Sequence, residues 1–562
     1  MERSNQQVAG VLAFMGQLLE IKGENVFKIR AFYRASDIVE RLARPVAGMD
    51  EHELDQIEGI GKNIAKKIIE IVTTGTCAEL EELKSEIPTH LIELLKLEGI
   101  GPKTVAILWK KLGIQSIDDL EREAKGHRIR AIKGFGEKKE EIFLASIAHL
   151  RKEAGRMNRF EAEAVVEKVS PAMTPGTFEV AGSFRRGKST VGDIDIISTE
   201  RPSVLNPKIR QIAEAMIDEG DRKTSFRILS RRVDIRFSRP EQFGSMSLYL
   251  TGSKPFNIRL RELAITKGYK ISEYGIEERD TGKLVEFSTE EDMFAFLGLP
   301  YIPPELREDW GEVERARAND LPKLVGQSDI RGDLHVHSDW SDGRTPIGKL
   351  AETGALMGYD YIVCTDHAPR THIMHGLDPD KIKERAHEIE VANRSSRCRV
   401  LEGIEVDIMS DGSIGLSDAV LADLDFVIAS IHAGFREERD VMTRRILGAM
   451  ENENVDVIGH PTGRLIGQRT GYEVDLSRVI ELAARTKTAL ELNASPYRLD
   501  LDDMYVKQAV DTGVKIAIGT DAHQSGELSE MRYGITTARR GWCRPSDVLN
   551  TMSAESLLEW AG

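Results

Sequence analysis

The sequence predicts a multidomain protein: an all-α N-terminal region, an α+β middle region and a C-terminal α/β barrel. Three observations lead there. A turn of the form apolar-x-Gly-apolar-Gly recurs at residues 57–61, 97–101 and 132–136, each time before a lysine-bearing helix. Short β-like runs between residues 177 and 237 carry three spaced aspartates. Beyond residue 331, apolar runs alternate with helical stretches, and polar metal-ligating side chains follow the runs.

At 562 residues the chain exceeds what one core organises, and 41% hydrophobic with 30% charged residues describes a soluble globular protein. No apolar run is long enough to span a bilayer, and no signal-peptide pattern opens the chain. Cys77, Cys364, Cys398 and Cys543 show no paired spacing, so a reducing cytoplasm is expected. The formal charge of −15 is uneven: −2 over residues 1–150, −1 over 151–330 and −12 over 331–562. That average does not exclude a nucleic-acid binder, because contacts depend on local patches.

The first helices place Val11, Phe14, Met15, Leu18 and Leu19 at helical spacing, as core. Lys28, Arg30 and Arg34 follow, as a solvated face or a phosphate patch. In the recurring turns, Gly59 and Gly61, Gly99 and Gly101, and Gly134 and Gly136 permit a tight hairpin and close approach to a ligand. The amides of a helix N-terminus favour an anion such as phosphate. Three copies in 80 residues resemble the helix-hairpin-helix motif, a reader of DNA backbone without sequence preference.

The middle region centres on Gly182-Ser183-Phe184-Arg185-Arg186-Gly187, followed by Asp193-Ile194-Asp195-Ile196-Ile197. Period-two alternation puts Asp193 and Asp195 on one strand face, a pair suited to Mg²⁺ or Mn²⁺. A third carboxylate, Asp234, stands in Arg231-Arg232-Val233-Asp234-Ile235-Arg236-Phe237. Metal and phosphate sites side by side suggest nucleotidyl transfer by two ions. This pattern, with Tyr249-Leu250-Thr251-Gly252-Ser253, resembles the nucleotidyltransferase palm of family X DNA polymerases, which include DNA polymerase beta. The resemblance implies that Ser183, Arg186 and Gly192 contact the triphosphate and that Tyr249 crowds the nucleotide sugar. It assigns Asn257 to the minor-groove edge and Arg261 to the template. Leu250 stands where that family has an aromatic residue. The same resemblance makes Lys67 the counterpart of a Schiff-base lysine acting on 5′-deoxyribose phosphate, with Lys28 and Arg34 at phosphate positions; a plain surface lysine is the competing reading.

From residue 331 the βα rhythm predicts a parallel barrel-like sheet, with polar residues converging at strand C-terminal ends. Nine of the 13 histidines lie here. The motifs D-L-H-V-H-S, T-D-H, G-I-E, S-I-H, G-H-P and T-D-A-H resemble the PHP (polymerase and histidinol phosphatase) domain. Its metal ligands then fall on His335, His337, Asp342, His367, Glu405, His432, His460, Asp521 and His523, holding two or three Mn²⁺, Zn²⁺ or Fe²⁺ ions. His372 and His375 are candidate substrate contacts or ordinary loop residues.

The expected domains are a lyase-like helical domain (1–90), a fingers-like hairpin region (91–155), a palm (156–240), a thumb-like subdomain (241–320) and the PHP domain (321–562), with 298–330 as a surface linker. The resemblance implies a gap-filling repair polymerase with a metal-dependent 3′–5′ exonuclease, abasic sites and 3′-phosphates being further candidate substrates. Gapped or nicked duplex DNA and deoxynucleoside triphosphates are the expected partners, and a monomer the expected state. The alternatives are a small-molecule phosphatase of the histidinol-phosphate type and a non-catalytic DNA-end scaffold.

Overall fold

The computed structural model describes residues 5–562 apart from Ala43, Glu58, Glu98, Ala154, 370–375 and Arg436. The chain divides into two compact units, one ending at residue 154 and one built from Gly155–Ala368 and Leu377–Gly562. Among the described residues no helix is long and apolar enough to cross a membrane. All four cysteines are free and buried.

The first unit is helical. Helices Asn5–Lys22 and Val26–Arg41 bury Val8, Leu12, Met15 and Leu19 against Phe32, Ala35 and Val39. The three hairpins share one geometry. Gly59, Gly99 and Gly134 have φ of +96°, +74° and +92°, a region closed to most L side chains. Gly61 and Gly101 then cap helices Lys62–Thr74 and Pro102–Leu112, and Gly136 precedes Glu137–Glu153. The apolar residue between each pair of glycines, Ile60, Ile100 or Phe135, is buried in the common core and anchors the turn from inside.

The second unit begins with a five-stranded sheet in the order Phe178–Val180, Ile194–Ser198, Arg231–Phe237, Lys223–Ile228, Ala215–Glu219. Ile194–Ser198 and Arg231–Phe237 run parallel in its middle, burying Ile194, Ile196, Val233 and Ile235. A smaller antiparallel sheet, Tyr269–Ser272, Gly275–Glu278 and Leu284–Val285, packs with helices Lys254–Thr266 and Glu290–Phe296.

The expected linker at 298–330 is corrected here. Leu299, Ile302, Leu306, Val313 and Ala316 are buried in the core of this thumb-like part. The fully buried Arg307 donates to both oxygens of Glu290, at 2.9 and 2.8 Å, and to the Ile302 carbonyl at 2.8 Å. Proline-rich composition reads as a loop, but an extended prolyl segment buries alternate side chains without needing ladder hydrogen bonds.

Beyond it, seven strands from Gly332–Val336 to Ile516–Gly519 follow one another in sequence order, all parallel. A bridge between Val336 and Ala522 nearly closes the barrel. Leu334, Tyr361, Val363, Leu401, Phe426, Ile428 and Val457 form a cluster with Leu557 of the final helix, Ala554–Ala561. The titratable side chains gather instead at the strand C-terminal ends.

Candidate metal and nucleotide sites

In the palm, parallel register sets Asp195 directly opposite Asp234. Asp193 departs from the predicted strand: it is exposed and sits in the bend just before Ile194. Gly182, at φ +65°, lets the Gly182–Arg185 turn approach the aspartates; a Cβ there would lie 2.5 Å from Asp195 Oδ2. Burial, then the charges of Asp193 and Asp234, pushes the Asp195 carboxyl up to about 7. Burial works the same way on Asp234, but hydrogen bonds from Arg232 and Lys223 outweigh it and hold that carboxyl below the usual range. The contacts are 3.0 Å from Arg232 Nε and 2.7 Å from Lys223 Nζ. A carboxylate that burial and like charges resist ionising fits a divalent cation, which would remove both penalties.

Arg186 donates to the Thr251 carbonyl and, from Nε at 2.9 Å, to Glu308. Asn257 Nδ2 donates to the Tyr249 carbonyl at 2.7 Å, and the Arg261 guanidinium lies 5.7 Å from the Tyr249 ring. Tyr249 and Leu250 line a cavity of about 830 Å³ with Arg236, Phe237, Arg239 and Tyr274. Ser183 and Gly192 are half-buried.

In the helical unit, Lys28 and Lys67 share one carboxylate, Glu79, at 2.8 and 3.1 Å. Burial opposes ionising Glu79, yet hydrogen bonds from Lys28 and Lys67 hold it below the ordinary range. Arg34 packs over Gly59, where a Cβ would lie 2.5 Å from its Nε.

The barrel mouth draws its ligands closer. His337, Asp342, His367 and His523 offer donor atoms within 4.8 Å of one another, as do His335, His337 and Asp521, and His367, Glu405 and His432. Glu405 is the hub: Oε2 lies 2.8 Å from His367 Nδ1, and Oε1 lies 3.1 Å from both His432 Nε2 and His460 Nε2. Asp521 lies 3.1 Å from His337 Nε2, and Asp342 lies 3.3 Å from His367 and 3.4 Å from His523. His460 and Asp521 hold positive φ without being glycine, 26° and 56°, backbone strain that collects at functional sites. His372 and His375 lie outside the described residues.

Glu405, His337 and His460 already hold the protonation state a metal requires. Burial opposes ionising Glu405, but His432, His367 and His335 outweigh it and keep it far below its ordinary range. Burial, then the charges of His523 and His367, lowers His337 to about 4; burial, then Arg498, lowers His460 to about 3. Both imidazoles are therefore neutral, and their buried Nδ1 atoms have no hydrogen-bond partner among the described residues. These donors fit a multinuclear cation centre.

The chain matches models for a helix-hairpin-helix domain over residues 3–77, a SAM-like helix-hairpin-helix tandem over 91–141, the DNA polymerase beta palm over 151–227 and thumb over 246–308, and the PHP domain over 333–495. It is 38% identical over 564 residues to the DNA polymerase/3′–5′ exonuclease PolX of Bacillus subtilis (strain 168), covering 98% of each chain. The chain belongs to the PHP-bearing family X DNA polymerases. DNA polymerase lambda of Rattus norvegicus is 28% identical over 340 residues, 54% of this chain and 56% of that one. The Arabidopsis thaliana protein of the same name is 28% identical over 316 residues, 49% and 57% of the two chains.

Several residues of this family X chain escaped sequence reasoning. Glu491, fully buried in strand Ala489–Asn493, receives His335 Nδ1 at 2.5 Å and the His460 amide. Asp407 lies 2.9 Å from His432 Nδ1, and Asn493 donates to Asp521 at 3.0 Å. Such partners fix imidazole and carboxylate orientation. Their signal was a charged residue inside an otherwise apolar strand, as in Ala489-Leu490-Glu491-Leu492. The Glu79 carboxylate beside Lys67, and Glu290 between Arg185 and Arg307, arise from long-range packing and leave no local pattern.

Proposed function

We propose that the chain is a gap-filling DNA polymerase that also removes 3′-terminal nucleotides at its barrel mouth. One observation carries this: three palm aspartates and nine candidate metal ligands at the barrel mouth occur on one chain with three glycine hairpins. The polymerase substrate would be gapped or nicked duplex DNA with deoxynucleoside triphosphates, the working state a monomer, and the compartment a reducing cytoplasm, where four free thiols persist.

When bound, Mg²⁺ or Mn²⁺ in the palm and two or three Mn²⁺, Zn²⁺ or Fe²⁺ at the barrel would supply charge neutralisation and an activated oxygen. Asp193 and Asp195 would hold both palm ions and Asp234 one. Arg186, Ser183 and the Gly192 backbone would bind the triphosphate, and Tyr249 and Asn257 would seat sugar and base. At the barrel, Glu405, the surrounding imidazoles, Asp342 and Asp521 would hold the ions.

A one-nucleotide-gapped, 5′-phosphorylated duplex tests both halves. Asp193→Ala should abolish extension and spare 3′ degradation; His335→Ala should do the reverse. A wild type that leaves DNA untouched but cleaves small phosphate monoesters would make it a phosphatase, and one with no activity on either would favour a scaffold. A lyase role for Lys67 is also proposed, on its shared Glu79 contact with Lys28. Borohydride trapping of an abasic product should vanish in Lys67→Ala; unchanged trapping removes the role.

A further inference from the structure

The turn after the nucleotide-site arginine rests against the barrel. Gly187 has φ of +73°, and a Cβ there would lie 2.3 Å from Thr536 Cγ2 and 3.4 Å from Arg540 Cδ. Both residues belong to the barrel helix Met531–Arg540. Arg540 is only 1% exposed although it ends that helix. Its Nη1 donates to the Arg186 carbonyl at 2.6 Å, its Nη2 to Glu308 at 3.1 Å and its Nε to Asp503 at 2.7 Å. Glu308 in turn accepts from Arg186 Nε, and Lys188 stands 3.7 Å from Glu308 and 3.6 Å from Asp503. On the other side of the turn, Arg159 donates to the Phe184 carbonyl at 3.2 Å.

A guanidinium buried this deeply has lost its water, and only a fixed set of acceptors makes that state tolerable. The planar fork meets that need. One side chain spans a backbone carbonyl and two carboxylates in one geometry, which a lysine cannot reproduce. The carbonyl it grips belongs to Arg186 itself. Glu308, gripped as well, holds the Arg186 side chain. Arg540 therefore touches both the backbone and, through Glu308, the head group of the same residue.

We infer that Arg540 is a positioning residue for nucleotide binding, through which the barrel domain fixes the Arg186–Gly187 turn of the polymerase site. The inference rests on the polymerase function proposed for the palm, in which Arg186 meets the triphosphate. Arg540 itself touches no nucleotide. The two activities of the chain are then not merely tethered: the scaffold of one shapes the substrate site of the other.

The test uses the full chain and gapped duplex, with nucleotide KM, kcat and 3′ degradation measured for wild type, Arg540→Met, Arg186→Ala and the double variant. The expected result is a KM for nucleotide raised roughly tenfold in Arg540→Met with kcat little changed, the scale on which a displaced binding group acts. Degradation should stay at the wild-type rate, since Arg540's hydrogen bonds go to Arg186, Glu308 and Asp503, none of them a barrel ligand. Adding Arg540→Met to Arg186→Ala should raise KM no further, because the two act through one group. Unchanged KM in Arg540→Met, or fully multiplicative effects, would overturn the inference while leaving the polymerase function intact. A wild type that extends no primer defeats the polymerase function instead. Should Arg540→Met lose degradation too, the barrel has failed to fold; Arg540→Lys, which keeps the buried charge without the fork, then takes its place under the same criteria.

Discussion

Each barrel-mouth carboxylate is met by imidazole: Glu405 by His367, His432 and His460, Asp342 by His367 and His523, Asp521 by His337. In the palm the charges that press on Asp195 are those of Asp193 and Asp234 instead. The consequences differ. Glu405 and Asp521 sit far below the ordinary carboxylate range, Glu405 despite complete burial, whereas Asp195 rises to about 7. Three overlapping groups of barrel residues each bring donor atoms within 4.8 Å of one another, and no three palm carboxylates meet that spacing among the described residues. A mixed imidazole–carboxylate set can be assembled in advance by its own contacts. An all-carboxylate set repels itself and needs an incoming cation, or borrowed cations such as Lys223 and Arg232, to hold together. That suits a resident metal centre in the barrel and ions that arrive with substrate in the palm.

Disturbing preassembly on one side alone puts this contrast under the greatest strain. Glu491→Gln removes the carboxylate behind His335 and weakens the acceptor for the His460 amide. Metal affinity at the barrel and the rate of 3′ degradation should fall by about 10–100-fold, the usual effect of losing a partner behind a ligand. Primer extension on gapped DNA should be unaffected. Metal titration of the purified variant, with both activities measured side by side, checks this. Equal losses in the two activities would mean that the centres are not separately organised.

The sequence displayed the barrel far more openly than it displayed what connects the barrel to the rest. Apolar runs, and histidines in or just after them, are local patterns, so His335, His337, His367, His432 and His460 could be placed from their neighbours alone. The same holds for the glycines of the three hairpins, whose positive φ few other residues tolerate. Residues 298–330 misled because proline and charge mark loops by composition, while burial of Ile302 and Arg307 depends on helix Glu290–Phe296 folding over them. The bend at Asp193 escaped because the Asp-Ile-Asp alternation looks the same whether the strand starts there or one residue later. What Glu491 and Arg540 contact was invisible for a related reason. Their partners lie 156 and 354 residues away, and no periodicity reports such a pairing.

A smaller effect separates the two centres by pH. The Asp195 carboxyl is raised by burial and then by its acidic neighbours, so the folded protein holds a proton there that the unfolded chain releases near its ordinary value of 3.8. Without cations, the folded palm binds the extra proton between 3.8 and about 7, and its stability falls as pH rises through that window. A cation competes with the same proton. The apparent affinity of the palm for Mg²⁺, read from the Mg²⁺ dependence of extension, should therefore rise about fivefold between roughly pH 6 and 7, about twofold more above that, and level off by about pH 8. At the barrel the carboxylates are already ionised, and the protons to displace sit on His335 and His523. Burial opposes charging His335, but Glu491, Asp521 and Glu405 outweigh it and raise it well above its ordinary range. Burial opposes charging His523 too, but Asp342 and Asp521 outweigh it and raise it to about 9. Barrel metal affinity should thus continue to climb with pH after the palm has levelled, at least as far as about 9. Parallel titrations of the two centres from about pH 6 to 9 decide the matter. Coincident profiles would show that one shared ionisation, rather than two differently built ligand sets, governs metal binding.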